Sequence, residues 1–71
     1  MDEHNIDFII FIMYKLSAAW NMPVRNVYAL LNGTGTLEDY IIPCYDVLHT
    51  LGSEYLVEDI TGYVRERGGF V

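Results

Sequence analysis

One cysteine, two prolines, two histidines and four basic residues are all that 71 positions contain of those types. Each shortage removes a class of explanation. A single cysteine, Cys44, leaves no internal disulfide and points to a reducing compartment, with a bridge to another chain still open. Four Lys and Arg against ten Asp and Glu give a net charge of −6. Nucleic-acid binding draws its affinity from basic side chains that displace counterions from phosphates. Here Lys15, Arg25, Arg65 and Arg67 are scattered and form no stripe. DNA and RNA are therefore not expected partners, and a basic protein suits this acidic chain better. Long apolar runs are also missing. The longest, Phe8 to Tyr14, is bounded by Asp7 and Lys15 and falls far short of the ~20 residues of a membrane span. No basic n-region precedes it, so neither a membrane segment nor a signal peptide is expected, and the expectation is a cytoplasmic protein.

What the chain does contain is helical periodicity with clear punctuation. Its length makes one domain, residues 1–71. Such a domain buries only ~60–65% of its unfolded surface, a deficit that small chains commonly meet by association. The pattern predicts an all-α fold, a compact bundle of about four short helices. The first runs from about Asn5 to Trp20, with Asp2, Glu3 and Asp7 at its positive end. Pro23 suits the opening position of the second, in which Val24, Val27, Tyr28 and Leu31 share a face. Asn32-Gly33-Thr34-Gly35 stops it through left-handed glycine. Thr36 and Asp39 resemble a capping box, placing a third start at Leu37. Pro43 removes a backbone donor and disfavours helix at Ile42, so this third segment is either kinked or split there. Gly52 ends it, and Ser53 caps the last helix. In that helix Leu56, Ile60, Tyr63, Val64 and Arg67 share one face, while Glu54, Glu58, Thr61 and Arg65 take the opposite side. Gly68-Gly69 closes it.

The first helix is apolar over most of its circumference. At 100° per residue, Ile6, Phe8, Ile9, Ile10, Ile12, Met13, Leu16, Ala19 and Trp20 cover one broad arc. The complementary arc holds Asp7 and Lys15, but also Phe11, Tyr14 and Ala18. A surface helix of a small bundle needs a stripe of only ~100–140°. Two readings account for the excess. Either the tail Phe70-Val71 folds over Phe11 and Tyr14, or these residues meet another protein, a second copy or a different partner.

The chemistry on offer is sparse. Asp46 and His49 stand three apart, as an acid–base pair or two metal ligands would. A structural zinc site wants four ligands and a catalytic one three; Cys44 points elsewhere on a continuous helix, and His4 lies at the far end of the chain. Nucleophilic catalysis by Cys44 or Ser53 would need His49 and an orienting third group. The plainer reading has His49 at a helix C-terminus, bonded to Asp46 or to nearby backbone. Gly33-Thr34-Gly35 matches no phosphate-binding loop and reads as a turn. Tyr55 falls off the buried face of the last helix beside Asp59, either packed on the Gly52 turn or offered to a basic partner. No catalytic residue, cofactor or metal is expected. Asp46, His49, Thr50, Gly52 and Ser53 form a structural corner between two helices.

The segment Tyr45-Asp46-Val47-Leu48-His49-Thr50, followed after a short turn by Tyr55-Leu56-Val57-Glu58-Asp59-Ile60, resembles a small bacterial family, the domain of unknown function numbered 3791. Val27-Tyr28-Ala29-Leu30-Leu31 upstream and the closing Arg67-Gly68 fit the same pattern. Pro43 and the paired glycines at 33 and 35 depart from it. The resemblance implies a short helical protein and supplies no catalytic residues. It implies a context too, since genes of this kind stand beside genes resembling ADP-ribosyltransferases, which suits an accessory or antitoxin-like role. The resulting expectation is a non-enzymatic protein-interaction module, self-associating as a homodimer or binding a partner protein. Phe11 and Tyr14 supply apolar contact in it, and Tyr55, Glu58 and Asp59 an acidic rim. The alternatives are a structural homo-oligomer without a dedicated partner, and a small ligand-binding domain around His49.

Overall fold

The computed structural model describes residues 3–69, with side chains from Asn5 onward. Phe70 and Val71, which one of the two readings folds over Phe11 and Tyr14, lie outside the described residues, as does the side chain of His4. Among the described residues five helical segments follow one another: α1 Glu3–Trp20, α2 Val24–Gly33, a π-helical segment π1 Leu37–Ile41, α3 Tyr45–Leu48 and α4 Ser53–Glu66. No strand occurs among the described residues, so the fold is all-α. None of these helices is long and apolar enough to cross a membrane.

The count is five rather than about four because the stretch from Thr36 to Thr50 holds two separate segments. Pro43 has no N–H for the Asp39 carbonyl, and its ring would crowd that group in a regular helix. Ahead of it the chain is wound wider, with Ile42 N–H reaching back five residues to the Leu37 carbonyl at 3.0 Å. A turn through Pro43 then leads into α3.

The caps also differ from the sequence pattern. Thr36 does not form a capping box. It has helical dihedrals, is fully buried, and its hydroxyl bonds that of Thr34 at 2.7 Å. Pro23 and Gly52, both extended at ψ 151°, precede α2 and α4 as their N-caps. Pro23 thus sits one position before the expected one, and Ser53 is the first helical residue of α4, not its cap.

At the other ends, Asn21 stops α1 with a left-handed φ of 53°, and Met22 N–H returns to the Ser17 carbonyl at 3.2 Å. Gly68 does the same for α4 at φ 88°, with Gly69 N–H on the Val64 carbonyl at 2.9 Å. Both are six-to-one closures in which a left-handed residue satisfies free carbonyls. After α2 the left-handed residue is Gly35, at φ 76°.

One core unites the segments. Ile12 and Leu16 from α1, Val27 and Leu31 from α2, Leu37 and Ile41 from π1, Leu48 from α3, and Leu56, Ile60 and Val64 from α4 are all buried. α1 is the central element, packed against both α2 and α4. Trp20 ties it to α4 by donating to the Thr61 hydroxyl at 2.9 Å, while Thr61 donates to the Val57 carbonyl at 2.5 Å. Thr61 therefore turns toward α1 and does not belong to a solvated face.

A candidate interaction surface

The burial of α1 is one-sided. Ile12 and Leu16 are sealed, yet Ile6 and Ile10 are 45% and 44% exposed, although the wheel set them on the arc facing the core. Phe11 is 44% exposed and Tyr14 64%. These side chains fall on two adjacent ridges of the helix. One runs Ile6, Ile10, Tyr14, Ala18, and the other runs Asp7, Phe11, Lys15. Tyr28 extends the surface from α2, half exposed, although its spacing put it with the buried Val27 and Leu31. Together with Ile6, Ile9, Ile10, Met13 and Leu37 it lines a shallow apolar groove. Periodicity alone could not find Ile6, Ile10 and Tyr28. It marks a residue as apolar, but only the positions of α2 and α4 decide which part of a wide apolar arc is covered.

On the far flank of Phe11 the Lys15 ammonium stands 5.6 Å from the ring centroid, a cation–π distance. Beyond Lys15 a groove opens between α1 and α4, lined by Ala18, Ala19, Ser53, Glu54, Val57 and Glu58. The acidic rim expected of Tyr55, Glu58 and Asp59 is divided by the helix. Tyr55 is 59% exposed and Glu58 also faces solvent, on the outer ridge of α4. Asp59 turns toward π1 and is half-buried, because the Tyr40 hydroxyl donates to its carboxylate. That bond, helped by burial, pushes the Tyr40 phenol well above the usual tyrosine range. Ionising Tyr40 would set a phenolate against a carboxylate.

Around this pair a polar clamp holds π1 and α4 together. Tyr40 stacks on Tyr63, with centroids 4.5 Å apart and planes within 6°. Arg67 donates from Nε to the Thr34 carbonyl at 2.8 Å and from Nη2 to Asp39 at 2.7 Å. Its Nη1 reaches the Tyr63 hydroxyl at 3.2 Å. Arg67 thus joins the ends of α2, π1 and α4. The sequence offered it only as a charge near a helix C-terminus. Asp39, read as a capping residue, is its partner.

The corner from Asp46 to Ser53 is built from backbone. The His49 Nδ1–H donates to the Tyr45 carbonyl at 2.7 Å and its ring stacks on Tyr45 at 4.6 Å. Phe8 of α1 meets Tyr45 edge-on at 5.4 Å. Thr50 donates to the Val47 carbonyl at 2.7 Å, and Leu56 N–H closes on Gly52 at 3.0 Å. His49 is exposed, as is Asp46, and its bond goes to backbone and not to Asp46. Among the described residues no group of three or more His, Cys, Asp or Glu is placed to hold a metal ion.

Fold and surface define a small helical domain whose central helix keeps an apolar outer face beside an acidic ridge. The profile of the family described as "Protein of unknown function (DUF3791)" matches residues 7–67. The chain belongs to that family. No curated protein matches it, and no solved structure does.

Proposed function

We propose that this protein is a non-enzymatic protein-interaction module. It associates through the outer face of α1 and presents the ridge of α4 to a basic partner. The observation that supports this reading is the exposure of Ile6, Ile10, Phe11 and Tyr14 on one helix. Large apolar side chains grouped on one exposed face and bordered by charged residues are typical of interaction sites, whereas scattered single ones are not. Tyr55 and Glu58, with Glu54 beside them, supply an acidic rim with an aromatic anchor, the composition suited to a cationic surface. Asp59, held by Tyr40, backs this rim. In the family context the partner is an ADP-ribosyltransferase-like protein, and the module acts as an accessory or antitoxin by occluding its site. Bacterial origin and a cytoplasmic location belong to the same proposal.

Titration calorimetry between this protein and the ADP-ribosyltransferase-like product of an adjacent gene tests it. Binding is expected to weaken about tenfold for Glu58→Lys, a loss of ~1.4 kcal/mol, and to fall with added salt. No binding by the wild type, or equal binding by Glu58→Lys and Tyr55→Ala, would sink the reading.

A further inference from the structure

Resting on the reading that the α1 face is an interface, we propose that its occupant is a second copy of this chain. The two α1 helices cross antiparallel about a two-fold axis at Phe11. Three features support a self-complementary contact. First, the ridge Asp7, Phe11, Lys15 reads acid, apolar, base at four-residue steps. Reversed about Phe11, it reads base, apolar, acid. Asp7 and Lys15 lie about 6 Å along the axis on either side of Phe11, at ~1.5 Å per residue. All three stand on one i, i+4 ridge of α1, next to the ridge of Ile6, Ile10 and Tyr14. An antiparallel two-fold therefore sets Asp7 of each copy level with Lys15 of the other, as isologous contacts require.

Second, the area is sufficient. With aromatic side chains of ~200 Å² and the isoleucines somewhat less, the exposed fractions of Ile6, Ile10, Phe11, Tyr14 and Tyr28 expose on the order of 450 Å² per copy. Complete burial of these five residues in two copies removes ~900 Å², and the bordering Ile9 and Met13 bring the total to the ~1,000 Å² at the lower limit of specific interfaces. Third, charge permits the approach. Two chains of net −6 repel, but Glu54, Glu58 and Glu66 lie on α4 and Glu38 and Asp39 on π1. The α1 face carries Asp7 and Lys15, one of each sign. The dimer would leave both α4 ridges free.

The test is molar mass against concentration by light scattering and sedimentation, at low salt, on the full chain. The wild type is expected at twice the 8.2 kDa of one chain. Asp7→Lys and Lys15→Asp each set like charges level and should weaken the dimer at least about tenfold. The double variant Asp7→Lys/Lys15→Asp should restore it. Both sites are exposed, and circular dichroism checks that each variant is folded. A wild type of 8.2 kDa at all concentrations, or a dimer indifferent to both single reversals, overturns the proposal. Retained sensitivity of partner binding to Glu58→Lys in a monomeric protein would overturn the dimer alone, leaving the interaction module standing.

Discussion

Removing one hydroxyl, by Tyr40→Phe, interrogates the contact between π1 and α4. The substitution keeps the ring and its stack on Tyr63 but deletes the donor to Asp59. A hydrogen bond to a charged group contributes ~1.5–3 kcal/mol. Asp59 is only half-buried, so water takes up part of the freed carboxylate and the loss falls near the lower end, about 1.5 kcal/mol. In a domain of this size each kcal/mol moves the midpoint by ~4–8 °C, giving a drop of ~6–12 °C at neutral pH. The pH dependence carries a sign. Below about pH 10, the ordinary tyrosine value, Tyr40 is protonated in both states and its contribution is fully present. As pH rises past that value the unfolded chain releases the proton while the folded protein, with its raised pKa, retains it. Stability drawn from the bond is then lost. The gap between wild type and Tyr40→Phe should therefore hold up to about pH 10 and narrow steadily as the pH rises above that value, the other five tyrosines being common to both. Thermal unfolding followed by far-ultraviolet circular dichroism measures it. A drop below ~2 °C at neutral pH, or a gap that does not change across the alkaline range, would show that the Tyr40–Asp59 bond does not hold π1 to α4.

Gly35→Ala places a Cβ at φ +76° and 2.8 Å from the Asp39 carboxylate that holds Arg67. It should cost ~1–2 kcal/mol for the left-handed backbone alone. Gly33→Ala, with nothing within 4 Å, should be neutral or stabilising by up to ~1 kcal/mol, and urea titrations of the two compare them directly. Trp20→Phe removes the bond from α1 to Thr61 and should lose about 1 kcal/mol, read by circular dichroism because the chain has one tryptophan. His49→Ala should lower stability by ~0.5–1.5 kcal/mol without changing self-association. A change in molar mass with unchanged stability would assign His49 to an interface instead.

The helices themselves were legible because their signals are local. Val27 and Leu31, and Leu56, Ile60 and Val64, are buried as their spacing requires, and Gly68 ends α4 where the doubled glycine stood. Pro43 falls in the turn between π1 and α3, but a missing donor does not say what winding precedes it. The wide turn of π1 is the part that propensity cannot express. Capping residues misled for a related reason. Thr36 and Ser53 have the right chemistry for caps, yet Gly35 and Gly52 already supply the extended or left-handed backbone beside them, and Thr36 is drawn into the core. Long-range polar contacts were invisible, because Arg67 meets Thr34 and Asp39 across sequence separations of 33 and 28.

The surface was half legible. Excess apolar character in α1 flagged Phe11 and Tyr14, both of which face outward. Ile6 and Ile10 escaped, since an apolar arc that is wider than its neighbours gives no sign of which edge they leave bare. The acidic rim depended on treating Glu58 and Asp59 as equivalent. One position of helical rotation separates solvent from the Tyr40 hydroxyl.

Hydroxyl-radical footprinting of Phe11 and Tyr14 tests directly whether the outer face of α1 is an interface. Tyr14 is 64% exposed and Phe11 44% in the single chain. At working concentration both should be modified slowly, and Phe11→Lys should return Tyr14 to the rate of an open tyrosine without unfolding. If Tyr14 reacts at the open rate in the wild type at every concentration, alone and with the basic partner present, the face is not an interface.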